Sequence, residues 1–136
     1  MLFGQEHVDR YRATDGEEGY DWQRGTTILL LTTRGRKSGA ERTTPLIFRP
    51  HGDDYLIVAS RGGTDEPPGW YLNLKAEPEV QVQVKGDVFR AHARDATADE
   101  QPELWRQMAE VWPDYDEYQK RTSRAIPVVV LERAGQ

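Results

Sequence analysis

The 136-residue chain contains no cysteine, which excludes disulfides, thiolate nucleophiles and cysteine-ligated metals and suits a reducing compartment. Its three histidines, His7, His51 and His92, lie far apart and lack the paired spacing that zinc ligands need, so no metal is expected. No stretch approaches the roughly 20 apolar residues of a membrane span. The first residues also lack the charged, apolar and small-residue order of a signal peptide. A cytoplasmic protein is therefore expected. With only Leu2, Phe3 and Val8 as a thin apolar stripe, it would associate loosely with a membrane at most. Positive charge is scarce as well. The 18 Lys and Arg against 23 Asp and Glu give a net charge of -5, which disfavours nucleic-acid binding through a broad basic face. The sequence lacks a glycine-flanked serine elbow, the glycine spacing of a phosphate-binding P-loop, internal repeats and low-complexity linkers.

What is present fits one domain with a 37% hydrophobic complement. Met1 to Ala13 reads as a short helix, and the Gly-, Asp- and Glu-rich Thr14 to Arg24 as a loop whose aromatics Tyr20 and Trp22 could cover something. Strands are expected at Thr26 to Thr33, Arg42 to Arg49, Tyr55 to Ser60, Glu79 to Val84, Val88 to Asp95 and Ile126 to Leu131. Pro45 suggests an edge or a bulge. The clearest pattern is Val80, Val82 and Val84 alternating with Gln81, Gln83 and Lys85 before a Lys85-Gly86-Asp87 turn. Pro67-Pro68-Gly69 introduces a short helix over Trp70 to Ala76, which Pro78 prevents from continuing. Thr97 and Glu100 match a capping box for a helix from about Ala98 to Trp112, and Pro113 separates it from another turn or two over Asp114 to Thr122. Six strands with segregated helices predict a small α+β barrel.

Three stretches could carry chemistry. Arg34-Gly35-Arg36-Lys37-Ser38-Gly39-Ala40-Glu41-Arg42 concentrates cations in an acidic chain, which suits a phosphate or carboxylate, although a solvated hairpin tip has the same composition. Ala59-Ser60-Arg61-Gly62-Gly63 would let a flat ligand approach the backbone, or simply lead out of a strand. In Gly69 to Lys75, the helical spacing of Trp70, Asn73 and Leu74 fits either packing into the barrel or a wall for an aromatic cofactor. Trp112, Tyr115 and Tyr118 recur at three-residue spacing, a pattern more often buried than catalytic.

Taken together, Gly35 to Gly39, Arg42 through Leu46, Ala59 to Gly63, Trp70 to Lys75, Ala91 with Arg94 to Thr97, and Trp112-Pro113 through Tyr118 resemble the deazaflavin-dependent nitroreductase family. The resemblance runs from about Thr26 to Leu131. It implies an FMN-binding type of split β-barrel of about six mostly antiparallel strands over residues 26–136, preceded by a helix and loop extension over residues 1–25. It also implies coenzyme F420, whose reduced deazaflavin passes a hydride to a small electrophilic acceptor such as a quinone, nitroaromatic or enone. By position, Arg36, Lys37, Ser38 and Arg42 would meet the phosphate and acidic tail, with Thr43, Thr44, Pro45, Leu46 and Ile47 continuing along the cofactor. Val58, Ala59, Ser60 and Arg61 would lie near the ring or its linker, and Gly69, Trp70, Tyr71, Leu72 and Asn73 would complete the wall. Tyr115 would sit at the mouth, with Ser60 and Tyr115 as the catalytic hydrogen-bond or proton donors.

Ile47 and Trp112 stand where the nitroimidazole-reducing member has tyrosines. Two hydroxyl anchors are therefore missing, and quinone reduction is expected over activation of bicyclic nitroimidazoles. An FMN-dependent oxidoreductase on the same barrel, and a non-catalytic cofactor- or lipid-binding protein, are the alternative readings. A monomer and a homodimer are both compatible with such a barrel.

Overall fold

The computed structural model describes residues 2–134, so Met1, Gly135 and Gln136 of the expected elements lie outside it. Helices α1 (Gly4–Thr14), α2 (Gly69–Ala76), α3 (Gln101–Val111) and α4 (Asp114–Lys120) surround strands β1 (Ile28–Arg34), β2 (Glu41–Ile47), β3 (Arg49–His51), β4 (Asp54–Val58), β5 (Glu79–Val84), β6 (Asp87–Asp95) and β7 (Val128–Arg133). The seven strands form one sheet of order β2-β1-β5-β6-β7-β4-β3, antiparallel at every pairing.

The strand expected over Arg42 to Arg49 divides at Phe48 into β2 and β3. These two segments are separated by one residue, yet they occupy opposite edges of the sheet. The sheet has therefore curled until its edges meet at that corner. Phe48 turns its ring into the core and gives its amide to the Thr27 carbonyl (3.2 Å). An apolar run contains no local sign of such a corner, because curling brings in partners distant in sequence. Both edge strands contain a proline, Pro45 and Pro50, where a missing N–H leaves no central ladder incomplete.

Strand alternation explains how β1 can be apolar at four successive residues, Ile28 to Leu31. Leu29 and Leu31 face the barrel interior with Ile57, Val82, Ala91 and Val129, beneath Trp70 and Leu74 of α2. Ile28 and Leu30 face outward under Val8 and Tyr11 of α1. Burial on both faces produces a continuous rather than alternating apolar run. Leu56, Val58, Val128 and Val130 likewise form an outer floor for Leu104, Met108, Trp112 and Tyr115.

The Thr97–Glu100 capping box forms in both directions, with the Thr97 amide on the Glu100 carboxylate (2.9 Å) and the Glu100 amide on Thr97 Oγ1 (3.2 Å). The regular helix begins only at Gln101, one turn beyond the expected start. Arg94, and then the Thr97 amide, lower the Glu100 carboxyl from its ordinary 4.5 to about 2. That contact therefore contributes fully above the ordinary carboxylate range and is lost as pH falls toward 2.

Candidate active site

Two concavities meet on one side of the barrel. The first is an apolar cavity of about 380 Å³ between the start of α1, Thr44 to Ile47 on β2, the end of β4 and α4. The second, of about 510 Å³, is a cationic trough between the β1–β2 hairpin and the start of α2. Thr44 lines both.

The trough contains Arg36, Lys37, Ser38 and Arg42 of the hairpin, and Gly69, Trp70 and Asn73 of α2. Asn73 joins these two elements. Its buried amide accepts from the Arg36 backbone N–H (3.1 Å) and from Arg36 Nη1 (2.9 Å), and donates to Thr33 Oγ1 (3.2 Å). Arg36 is thus partly committed to holding the hairpin in place. Lys37 and Arg42 are exposed and, among the described residues, make no side-chain hydrogen bond or ion pair. Ser38 Oγ accepts from the Ala40 amide (3.1 Å), which leaves its O–H free to donate. Two uncommitted cations and a hydroxyl around a turn suit an extended anionic ligand.

The cavity holds Pro45, Leu46, Ile47, Val58, Ser60 and Tyr115 from among the residues singled out in the sequence. Tyr115 lies deeper than the mouth position expected for it, at 5% exposure. Burial, and then Tyr118, push its hydroxyl well above the ordinary phenol range, so it remains a neutral donor. Tyr118 lines the same cavity and accepts from Trp112 Nε1 (3.2 Å), so its own proton is free to be donated. Ile47 and Trp112 both stand on the wall of this cavity.

Five expected cofactor residues line neither concavity. Thr43 faces away, sharing hydrogen bonds with Thr32 (2.8 Å) and Arg12 (2.9 Å), as alternation from Arg42 and Thr44 requires. Ala59 is sealed in the barrel core. Arg61 is exposed and pairs with Glu66 (3.3 Å). Tyr71 donates to Asp95 (2.9 Å), and Leu72 points outward at 37% exposure.

One wall of the cavity comes from residues that carry no motif of their own. Phe3, Gly4, His7 and Trp22 line the cavity, brought there by α1 and the loop behind it. The His7 ring is buried, with Nε2 2.8 Å from the Gly19 carbonyl, so that nitrogen carries the proton. Only the aromatic content of Tyr20 and Trp22 hinted at a covering role. Across the cavity, Gly63 seats the Ser60–Gly63 turn on α4, where an added Cβ would fall 2.5 Å from the Tyr118 carbonyl oxygen.

A family model for F420H(2)-dependent quinone reductases matches residues 3–133. An F420H(2)-dependent quinone reductase of Mycobacterium tuberculosis (strain H37Rv) is 44% identical over 130 residues, covering 93% of this chain and 87% of the relative. A solved F420-H2 dependent reductase, FDR-A, is 42% identical and superposes with a TM-score of 0.72, over 77% of this chain and 93% of that one. Another solved chain, a domain-swapped dimer, is 38% identical with a TM-score of 0.75, over 94% of this chain and 96% of that one.

Proposed function

Because this chain belongs to the F420H(2)-dependent quinone reductase family, we propose that it is a split-barrel oxidoreductase that reduces a small acceptor, a quinone foremost, where the cavity and trough meet. The observation carrying this reading is that junction at Thr44, which gives a long ligand an anion-binding end and an apolar, aromatic end. When bound, reduced coenzyme F420 supplies a hydride from carbon C5 of its deazaflavin.

The protein's part is to bind, orient and stabilise charge. Lys37, Arg42 and the Ser38 hydroxyl hold the phosphate and acidic tail, on a hairpin fixed by Arg36 and Asn73. Thr44, Pro45, Leu46 and Val58 bound the ring system, and Trp70 closes the trough side. The hydroxyls of Ser60 and Tyr115 donate to the acceptor oxygen as it gains negative charge, with Tyr118 as a third donor. Nitroaromatic and enone acceptors develop charge similarly, whereas Ile47 and Trp112 offer a bicyclic nitroimidazole no hydroxyl anchor. FMN carries one phosphate and no acidic tail, and would leave most of the cationic trough unused.

The N-terminal 25 residues, although an extension of the barrel, complete the acceptor cavity. The domain-swapped relative favours a homodimer. No described helix is long and apolar enough to cross a membrane, and a cytoplasmic site of action agrees with the absence of cysteine.

Equilibrium titration with oxidised coenzyme F420 and with FMN, followed by tryptophan quenching, tests the cofactor. Saturable binding of the deazaflavin alone, with anaerobic turnover of quinones by its reduced form, is expected. Tight binding without turnover across quinones, nitroaromatics and enones would identify a carrier instead, and binding of FMN alone would move the chain to flavin chemistry. Tyr115→Phe is expected to lower quinone turnover by about tenfold to a hundredfold, as one of several neutral donors to the developing charge, while coenzyme affinity stays within about twofold. Wild-type turnover would leave Tyr115 a packing role only.

A further inference from the structure

The wall contributed by the N-terminal segment is fastened to the opposite wall by contacts that have no part in the barrel's own ladder. Residues 20–28 form a short hairpin rooted in the sheet, with the Ile28 amide on the Tyr20 carbonyl (2.8 Å) and the Trp22 amide on the Thr26 carbonyl (2.9 Å). Its tip carries Arg24 at φ 55°, a left-handed conformation unusual for a side chain of that size. From there the guanidinium reaches Asp114 at the start of α4, with Nη1 and Nη2 at 3.3 and 3.0 Å from the two carboxylate oxygens. The same guanidinium lies 4.2 Å from the centre of the Trp112 ring. Beneath it, the Trp22 and Trp112 rings lie 6.0 Å apart and tilted by 32°, each lining the cavity from its own side. Phe3 packs its edge on Trp22, whose indole N–H donates to the Leu2 carbonyl (3.1 Å), so the start of α1 follows the hairpin.

The cavity bounded in this way, open to solvent along one side, is small for its task. Its roughly 380 Å³ is near the lower end of pockets that hold one drug-sized ligand. On the reading proposed above, it must admit part of a tricyclic ring and an acceptor together. The other walls are poor candidates for yielding, since β2 and β4 are strands of the sheet and α4 is seated on Gly63. The half of α1 beyond the cavity is pinned too, through Tyr11, whose hydroxyl donates to the Ile28 carbonyl (2.9 Å) and accepts from the Lys85 amide (2.7 Å). The clasp itself is solvent-exposed, with side-chain exposures of 54% for Arg24 and 38% for Asp114, so it can be released at low cost.

We propose that Arg24 and Asp114 are specificity-determining residues: their clasp braces the Trp22–Trp112 contact, sets the space open to an acceptor beside those two rings, and must release for a larger one. This rests on the reductase reading but assigns a role to residues outside the cavity lining. Acceptors made of a bare ring system fit the closed form, and those bearing a long apolar chain require the hairpin tip to lift.

The test compares two quinones with the same bicyclic ring, one bare and one carrying an isoprenoid chain, reduced by the full-length protein with reduced coenzyme F420. Arg24→Gln and Asp114→Asn are each expected to raise the ratio of kcat/KM for the chain-bearing over the bare quinone by about threefold or more, the modest effect of a screened surface pair with ring stacking. The double variant should match Arg24→Gln, because without the guanidinium Asp114 has no clasp left to make. Added salt should move the wild-type ratio toward that of the variants and leave the variants unmoved. Amide hydrogen exchange over residues 20–26 should accelerate in both variants. An unchanged ratio, additive effects of the two substitutions, or unchanged exchange would overturn the proposal. If wild-type protein reduces neither quinone, the reductase reading fails, and the same comparison is made on equilibrium affinities of the two oxidised quinones, where an unchanged ratio again overturns the clasp.

Discussion

Replacing Lys37 and Arg42 together by alanine is expected to weaken coenzyme F420 binding by about one to two orders of magnitude at low salt, while leaving the fold intact. Both side chains line the trough and neither has a hydrogen bond or ion pair to lose among the described residues. The substitution therefore removes charge from the ligand without leaving a buried group unpaired. A hydrogen bond to a charged group contributes about 1.5–3 kcal/mol when sheltered. These two are exposed, so roughly 1 kcal/mol each is the better figure, and about 1.4 kcal/mol corresponds to a factor of ten. The second signature is salt. Wild-type affinity should fall steeply as ionic strength rises, and the double variant should lose most of that slope. Titration at two salt concentrations checks both, and an unchanged affinity with an unchanged slope would place the anionic tail elsewhere.

Gly63→Val should be the most damaging single change near the cavity. The glycine sits at φ +84°, and its ideal Cβ would lie 2.5 Å from the Tyr118 carbonyl oxygen and 2.8 Å from its Cα. Both atoms are backbone, so no rotamer change relieves the clash. Overpacking costs about 1–3 kcal/mol, and a β-branched residue in a left-handed conformation adds roughly 1–2 kcal/mol. A loss of about 3–4 kcal/mol is a large share of the roughly 5–15 kcal/mol that keeps a domain folded. It should lower Tm by about 10 °C or more. Gly62→Ala is the internal control, because that glycine has φ +65° but no atom within 4 Å of an added Cβ. It should suffer only the conformational penalty, about 1 kcal/mol. Where Gly63→Val remains folded, displaced α4 should carry Tyr115 and Tyr118 out of place, so turnover falls further than trough binding. Equal melting of the two variants would mean that the turn moves freely away from α4.

Much of this architecture was legible because it is written in local patterns. The valine–glutamine alternation of β5 gives its face and its hairpin with β6, and the reciprocal Thr97–Glu100 bonds follow from a four-residue motif. The cationic hairpin stood out by contrast with an acidic chain, and the structure places Arg36, Lys37, Ser38 and Arg42 along one trough. Local pattern failed where geometry depends on distant partners. Thr43 looked continuous with Arg42 and Thr44, but the pleat turns it toward Arg12. Phe3, His7 and Trp22 carry no motif, and their place on the cavity wall depends on contacts such as Trp22 with Trp112. Tyr71 and Leu72 lie on the same short helix as Trp70 and Asn73 but on other sides of it, which family position alone could not separate.

The corner at Phe48 bears on how the molecule comes into being. Strands β3 and β4 join the rest of the ladder only through β7, which follows every other strand in the chain. Before residues 128–133 have been synthesised, the early strands can make a β2-β1-β5-β6 half and a separate β3-β4 hairpin, tethered at Phe48 with no ladder between them. The apolar cavity draws on both halves, through Thr44 to Ile47 on one side and Val58 and Ser60 on the other. A nascent chain therefore carries an open, unpaired strand edge until its final strand arrives, which exposes it to aggregation at that stage. Assembly of the cavity thus waits on the β4–β7 pairing, a contact distant in sequence and of the kind that is intrinsically slow to form.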